Sequence, residues 1–245
     1  MMPRVSITSG TIEYVEAGKG TPLILLHGGT GSIEEWGDCI DYFARRYHVI
    51  AYNRRGYGGS SPRYHFSEDF FQEDIEDLAV FLDVLGLLTP ILLCAFSDGG
   101  TIALIFAATF PERTRAMVCA GAHIYADEKA LKGLVRAKRV LENRLQHKGG
   151  KETAQVRSQM AWFDRWLHPN FNPFSIEDKI GLIKCPTLVV QGTEDEYAEP
   201  RHAQRIAQGI KDSELWLVEG ARHWVHGGEH KDLFQERAMA FFEGK

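Results

Sequence analysis

Several things are scarce in this 245-residue sequence, and each scarcity removes a class of function. Cysteine is one: Cys39, Cys94, Cys119 and Cys185 stand far apart, with no CxxC pair and no metal-ligand spacing. That argues against a disulfide frame or a cysteine-held metal, and for four buried, reduced thiols. Long apolar runs are missing too. The most apolar stretches, residues 23–26 and 91–96, are far too short to cross a bilayer. Positive charge is not in excess. The formal net charge is -5, which leaves no basic footprint for nucleic acid or anionic lipid. The opening residues, from Met1 to Ile7, lack the apolar core of a signal peptide. Repeats and low-complexity tracts are absent as well. With 44% hydrophobic and 25% charged residues, the expectation is one soluble, cytoplasmic, globular protein with no nucleic-acid partner and no membrane association. The oligomeric state stays open.

What is present is an alternation of short apolar runs with longer amphipathic ones, the pattern of an α/β sheet. Residues 5–8 and 11–17 flank Ser9-Gly10 and read as an antiparallel hairpin. Residues 22–26, 49–52, 91–96, 117–120, 188–191 and 215–218 supply six more strands. Each is apolar nearly throughout, as expected when both faces are covered. Between them, Phe71, Ile75, Leu78, Leu82 and Leu85 recur at helical spacing and are closed by Gly86. Residues 101–109, 201–208 and 231–242 read as further helices. The predicted fold is a mostly parallel sheet of about eight strands with helices on both faces. The alternation breaks once. Residues 122–184 hold no clear strand, but carry Leu131, Leu134, Leu141 and Leu145 on one helical face, then Trp162, Phe163, Trp166, Phe171 and Phe174. An interruption that long reads as a helical lid inserted into a core made of residues 1–121 and 185–245. Its slight basic surplus reads as a solvated helix face.

The densest chemical signal is Leu93-Cys94-Ala95-Phe96-Ser97-Asp98-Gly99-Gly100. A buried strand runs into a helix here, and Ser97 stands at the junction with small residues two positions before and after it. A turn that lifts a serine hydroxyl off a sheet edge is so sharp that larger groups at 95 and 99 would collide with neighbouring backbone. The hydroxyl then lies beside the free N–H groups of the helix start. A bare N-cap role for Ser97 is the plainer alternative, yet partners for a nucleophile follow in the required order. Asp195 falls three residues after Gly192 at the end of one strand, and His223 three after Gly220 at the end of the next. All three then sit at one edge of the sheet, where open α/β folds place their sites. Ser97, His223 and Asp195 are the expected nucleophile, base and orienting acid.

Glu194 and Glu196 flank the acid, and His226 and His230 follow the base. No carboxylate or cysteine lies at ligand spacing from those histidines, so no metal is assigned. The glycine-rich run His27-Gly28-Gly29-Thr30-Gly31 follows the first parallel strand. It reads as an oxyanion loop, with the backbone N–H groups of Gly29 and Asp98 as donors and Thr30 as the substitute if the loop is shifted by one residue. His27, Arg54 and Arg55 read as structural, each holding its own loop.

Together these pieces resemble α/β-hydrolase-fold serine hydrolases over essentially the whole chain. The matching residues are His27-Gly28-Gly29, Arg55-Gly56-Tyr57-Gly58-Gly59-Ser60, Ala95-Phe96-Ser97-Asp98-Gly99, Gly192 to Asp195, and Gly220 to His223. Ser97-Asp98-Gly99-Gly100 and Gly121-Ala122-His123-Ile124-Tyr125 resemble more narrowly the valacyclovir hydrolase group, also called biphenyl hydrolase-like proteins. Two positions depart from the family pattern. Asn53 stands where Asp is usual, which keeps the turn's hydrogen bond without the charge. The proline expected after the acid arrives one residue late, at Pro200. The resemblance implies the α/β-hydrolase fold and a cofactor-free enzyme acting on small-molecule carboxylic esters. Amide cleavage, C–C bond hydrolysis, perhydrolysis and a slow-turnover receptor remain as alternatives on the same fold. Epoxide or haloalkane chemistry is disfavoured, since it needs a carboxylate where Ser97 stands. Asp98 has two readings of equal standing: a helix-start carboxylate favoured by the helix dipole, or the anchor for a substrate α-ammonium group. Trp162 and Trp166 are the expected substrate-binding aromatics, as pocket wall or lid core.

Overall fold

The apolar runs meet side by side in one eight-stranded sheet. The computed structural model describes residues 2–147, 152–171 and 174–245. Its strands are β1 (Arg4–Ile7), β2 (Gly10–Ala17), β3 (Pro22–Leu26), β4 (His48–Tyr52), β5 (Ile91–Phe96), β6 (Thr114–Ala120), β7 (Thr187–Gly192) and β8 (Ser213–Val218), in the order β1-β2-β4-β3-β5-β6-β7-β8. The pairs β1–β2 and β2–β4 are antiparallel, and every later pair is parallel. The hairpin and the mostly parallel sheet are as the sequence predicts.

Side chains alternate across each strand, and in the central strands both sets are apolar, so the sheet carries a core on each face. Ile24, Leu26, Leu93 and Ala95 join the core that holds Phe70, Ile75 and Leu78 of α2 (Phe70–Val84) and Ile102 and Phe106 of α3 (Asp98–Thr109). Leu23, Leu25, Leu92 and Cys94 join the other, with Cys39 and Phe43 of α1 (Cys39–Ala44) and Phe234 and Phe242 of α8 (Lys231–Glu243). Fully burying one leucine-sized side chain stabilises the fold by roughly 1.5–3 kcal/mol. All four cysteines are buried and unpaired.

Some boundaries differ from the sequence reading, for identifiable reasons. β6 begins at Thr114 because Thr114 and Ala116 are buried, while the exposed Arg115 between them interrupts the apolar run. β8 is not covered on both faces as expected. It is the edge strand, and Glu214 and Leu215 are exposed. α1 has six residues, too few for a periodic stripe to show. Between β6 and β7 the chain forms α4 (Glu128–His147), α5 (Ala154–Trp166) and α6 (Glu177–Ile180), with an isolated bridge between Tyr125 and Ser175. α7 (Pro200–Gly209) then links β7 to β8. Among the described residues, no helix is long and apolar enough to cross a membrane.

Candidate active site

β5 ends at Phe96 and α3 starts at Asp98, which leaves one residue to turn the chain. Ser97 does so with φ 55° and ψ -121°, the one positive φ outside glycine among the described residues. Such backbone costs on the order of 1–3 kcal/mol and persists only where its surroundings impose it. Here the Ser97 N–H donates to Ala120 O at 2.8 Å, fixing the turn against β6. The smallness of residue 99 has a definite cause: a Cβ there would lie 2.3 Å from Leu26 O of β3.

Asp195 and His223 arrive from the ends of β7 and β8. Ser97 Oγ lies 3.0 Å from His223 Nε2, and His223 Nδ1 lies 2.6 Å from Asp195 Oδ2. Asp195 is fully buried. Its Oδ1 accepts the Tyr197 and Ala198 N–H groups at 2.7 and 2.9 Å, and Gln191 Nε2 donates to Oδ2. Burial pushes the Asp195 carboxyl up, but the His223 charge and these donors outweigh burial and hold it below the usual carboxylate range. For His223 burial pushes down, while Asp195, Glu196 and Glu35 outweigh it and raise the imidazole above its ordinary value. The glutamates beside the acid do other things. Glu196 accepts the His223 backbone N–H at 3.1 Å and pairs with Arg222 at 2.9 Å, and Glu194 is exposed. The late proline opens α7, so the residues before it are free to turn their N–H groups onto Asp195. His226 is buried, accepts from Trp224 Nε1 at 3.1 Å, and is pushed down to about 3 by burial and by His223. His230 lies 3.5 Å from Glu229. Among the described residues, no three His, Cys, Asp or Glu are grouped as a metal would require.

The loop after β3 is held from behind. The Arg54 N–H donates to His27 Nε2 at 3.1 Å, so His27 Nδ1 carries the proton and donates to Gly28 O at 2.8 Å. Burial and the Arg54 charge keep this imidazole neutral. Arg54 Nη2 donates to the same carbonyl at 2.8 Å, and its Nη1 donates to Asp74 of α2 at 3.1 Å. In a trans peptide the C=O and the following N–H point in opposite directions. Fixing the Gly28 carbonyl therefore aims the Gly29 N–H away from Arg54. The loop lies against the elbow, since a Cβ on Gly28 would sit 3.3 Å from Ser97 Cβ. Neither the Gly29 nor the Asp98 N–H has an acceptor among the described residues. Arg54 thus reaches well beyond the turn it was expected to organise, and Arg55 pairs with Asp77 and Glu73 of α2. Asn53 spans two groups: Oδ1 accepts the Ile33 N–H at 2.8 Å and Nδ2 donates to Glu13 at 2.9 Å. An Asp at this position would face the Glu13 carboxylate instead.

These elements border a cavity of about 810 Å³ into which Ser97, Asp98, His223, Trp162 and Trp166 all face. Asp98 is 1% exposed. Its carboxylate accepts from Trp162 Nε1 at 2.5 Å. Burial pushes it up to about 6, against the pull of Arg54 and Trp162. Phe163 also faces the cavity, whereas Phe171 packs in the core. Glu35, Trp224 and, in this role, His123 are among the lining residues to which the sequence assigns no part in the site. His123 Nε2 lies 3.3 Å from Tyr197 O, and its buried Nδ1 has no protein partner. Glu35 sits in a single 3-10 turn and the other two in irregular segments, all too short for a periodicity to mark them. The lining is acidic. Glu34, Glu35, Asp98, Glu194, Glu196 and Glu229 oppose a single arginine, Arg222.

A family model for the alpha/beta hydrolase fold matches residues 21–141. The chain is 28% identical over 239 residues to the serine hydrolase BPHL of Mus musculus, covering 91% of this chain and 80% of that one. It is 26% identical over 266 residues to the 2-hydroxy-6-oxo-6-(2'-aminophenyl)hexa-2,4-dienoic acid hydrolase of Metapseudomonas resinovorans, covering 96% and 89%. Among solved structures, a meta-cleavage product hydrolase is similar with a TM-score of 0.79 over 100% of this chain and 99% of that one. At 21% identity that likeness is one of fold.

Proposed function

We propose, from the premise that the chain is an α/β-hydrolase-fold serine hydrolase resembling the valacyclovir hydrolase group, that it cleaves small carboxylic esters through an acyl-enzyme and favours α-amino-acid esters. The observation that carries this reading is the continuous line of hydrogen bonds from Ser97 Oγ through His223 to buried Asp195. Ser97 Oγ attacks the ester carbonyl while His223 Nε2 takes its proton. The Gly29 and Asp98 N–H groups receive the developing oxyanion. Collapse expels the alcohol, which takes the proton from His223, and a water repeats the sequence against the acyl group to free Ser97. Asp195 keeps the Nδ1–H tautomer and balances the imidazolium. No cofactor enters these steps.

The charge of the lining supports the substrate class. A substrate ammonium beside Asp98 meets an acidic surface whose single arginine is already paired with Glu196. A dienoic acid, as named for the Metapseudomonas resinovorans relative, brings an anion into the same surface, and C–C hydrolysis is the weaker reading for that reason. Residues 122–184 form the proposed lid, with Trp162 and Trp166 of α5 closing the cavity over the elbow. The four unpaired thiols fit a reducing compartment, so the proposed location is the cytoplasm.

A fluorophosphonate is expected to label Ser97 alone, change tryptophan emission, and stop a reaction that otherwise turns over many times on chromogenic esters. An adduct on another serine would refute the nucleophile. A single turnover followed by a stable adduct would instead make the protein a receptor.

Activity should also follow pH in one direction. His223 must be neutral to accept the Ser97 proton, and its value is raised. The kcat/KM profile therefore rises with pH, with a midpoint above the roughly 6.5 of an ordinary histidine. His226, already neutral, can be replaced by Ala with most activity retained, whereas His223→Ala cannot. A profile flat through this range, or the reverse pair of mutant results, counts against the assignment.

A further inference from the structure

The Gly28 residue is held on both sides. Its carbonyl takes the Arg54 and His27 donors from behind, and its N–H donates to Glu35 Oε2 at 2.7 Å. Glu35 comes from the short 3-10 turn Ile33–Trp36, anchored by the buried Ile33 and Trp36. The Ile33 N–H is tied in turn to Asn53. A Cβ on Gly31 would lie 2.6 Å from Glu35 Oε2 and 2.8 Å from Oε1, so the glycine loop wraps the carboxylate closely. The same carboxyl group faces the cavity that holds Ser97 and His223. Two consecutive peptides are therefore pinned: His27–Gly28 by Glu35 through its N–H, and Gly28–Gly29 by Arg54 through its carbonyl. The second of these carries the Gly29 N–H.

We infer that Glu35 is a positioning residue for the reaction: it pins the loop so that the Gly29 N–H stays aimed at the oxyanion. This rests on the reading of Ser97 as nucleophile and Gly29 as oxyanion donor. A carboxylate serves here because a charged acceptor makes a stronger hydrogen bond to a backbone N–H than a neutral one. The groups facing it are few. His223 and Arg54 act on Glu35 through space and the buried His226 ring lies against the Glu35 backbone, while His223 also feels Asp195, Glu196, His123 and His226. Burial pushes the Glu35 carboxyl up to about 7 against those positive neighbours and the Gly28 N–H, so its negative charge is fully present only above that pH.

The test compares Glu35→Ala, Glu35→Gln and Ser97→Ala on one chromogenic ester across pH. On a chromogenic ester without an amino group, Glu35→Ala should lower kcat about ten- to a hundredfold, less than outright deletion of an oxyanion donor, with KM moved by no more than about twofold because no substrate charge there meets the Glu35 carboxylate. Glu35→Gln retains an acceptor for the Gly28 N–H and should recover most of kcat. Losing the negative charge, it should also move the acid limb of kcat/KM to lower pH, since His223 is no longer raised by this neighbour. Should Glu35→Ala fail to fold, Glu35→Met, which keeps bulk without an acceptor, takes its place. Unchanged kcat in Glu35→Ala, a loss confined to KM, or an unmoved limb in Glu35→Gln would overturn the proposal while leaving the nucleophile standing. Full activity in Ser97→Ala would remove the functional reading and this proposal together.

Discussion

Ser97→Ala should lower kcat by on the order of ten thousand- to a millionfold, the range seen when a triad loses its nucleophile. KM should hardly change, because the hydroxyl contributes little to ground-state binding. His223→Ala should cost a comparable factor, and the double variant little more than either alone, because the two groups act as one unit. The structure supports this non-additivity: without Ser97 Oγ at 3.0 Å, His223 Nε2 has no proton to take. The measurement is steady-state turnover with a purified variant whose fold is checked by circular dichroism. Residual activity within about a hundredfold of wild type would mean that another group attacks the substrate.

The second large effect concerns selectivity. An ammonium held by Asp98 in a partly desolvated cavity is worth on the order of 2–4 kcal/mol, or roughly 30- to 1000-fold in kcat/KM. Asp98→Asn keeps the size, the helix position and the backbone N–H, and its side-chain oxygen remains able to accept from Trp162. The loss should fall on α-amino-acid esters, while simple acyl esters hold steady or gain, because the oxyanion no longer has a fixed anion beside it. The preference should also strengthen as pH rises through about 6, where the Asp98 carboxyl ionises. Equal losses on both ester classes would make Asp98 a structural residue that seats the Trp162 indole, and the amino-acid-ester reading would fall with it.

Much of this molecule is legible in its sequence because strands covered on both faces must be apolar, and the turns between them must be small. β3, β5 and the elbow at Ser97 are the clearest cases: one apolar run, one serine, then two glycines where β3 leaves no room. The positions of Asp195 and His223 were readable for a related reason, since each follows a strand end by a fixed short step. Glu35 was not readable. Its role depends on a 3-10 turn folding back seven residues to meet Gly28, and no periodicity marks such a return. Arg54 is a similar case. Its own turn suggested a local role, but its guanidinium crosses to a loop 26 residues earlier in the chain. Long side chains carry contacts that strand and helix patterns do not encode. The acidity of the cavity escaped as well, because its carboxylates come from four separate stretches of chain.

The backbone at Ser97 bears on how this protein can change over generations. Glycine reaches positive φ without the steric penalty of a Cβ, so Ser97→Gly relaxes the elbow in the same step that removes its hydroxyl. Thermal endurance and turnover therefore pull in opposite directions at one codon. With Ser97 as the proposed nucleophile, Ser97→Gly is expected to raise thermal stability and abolish turnover in the same step.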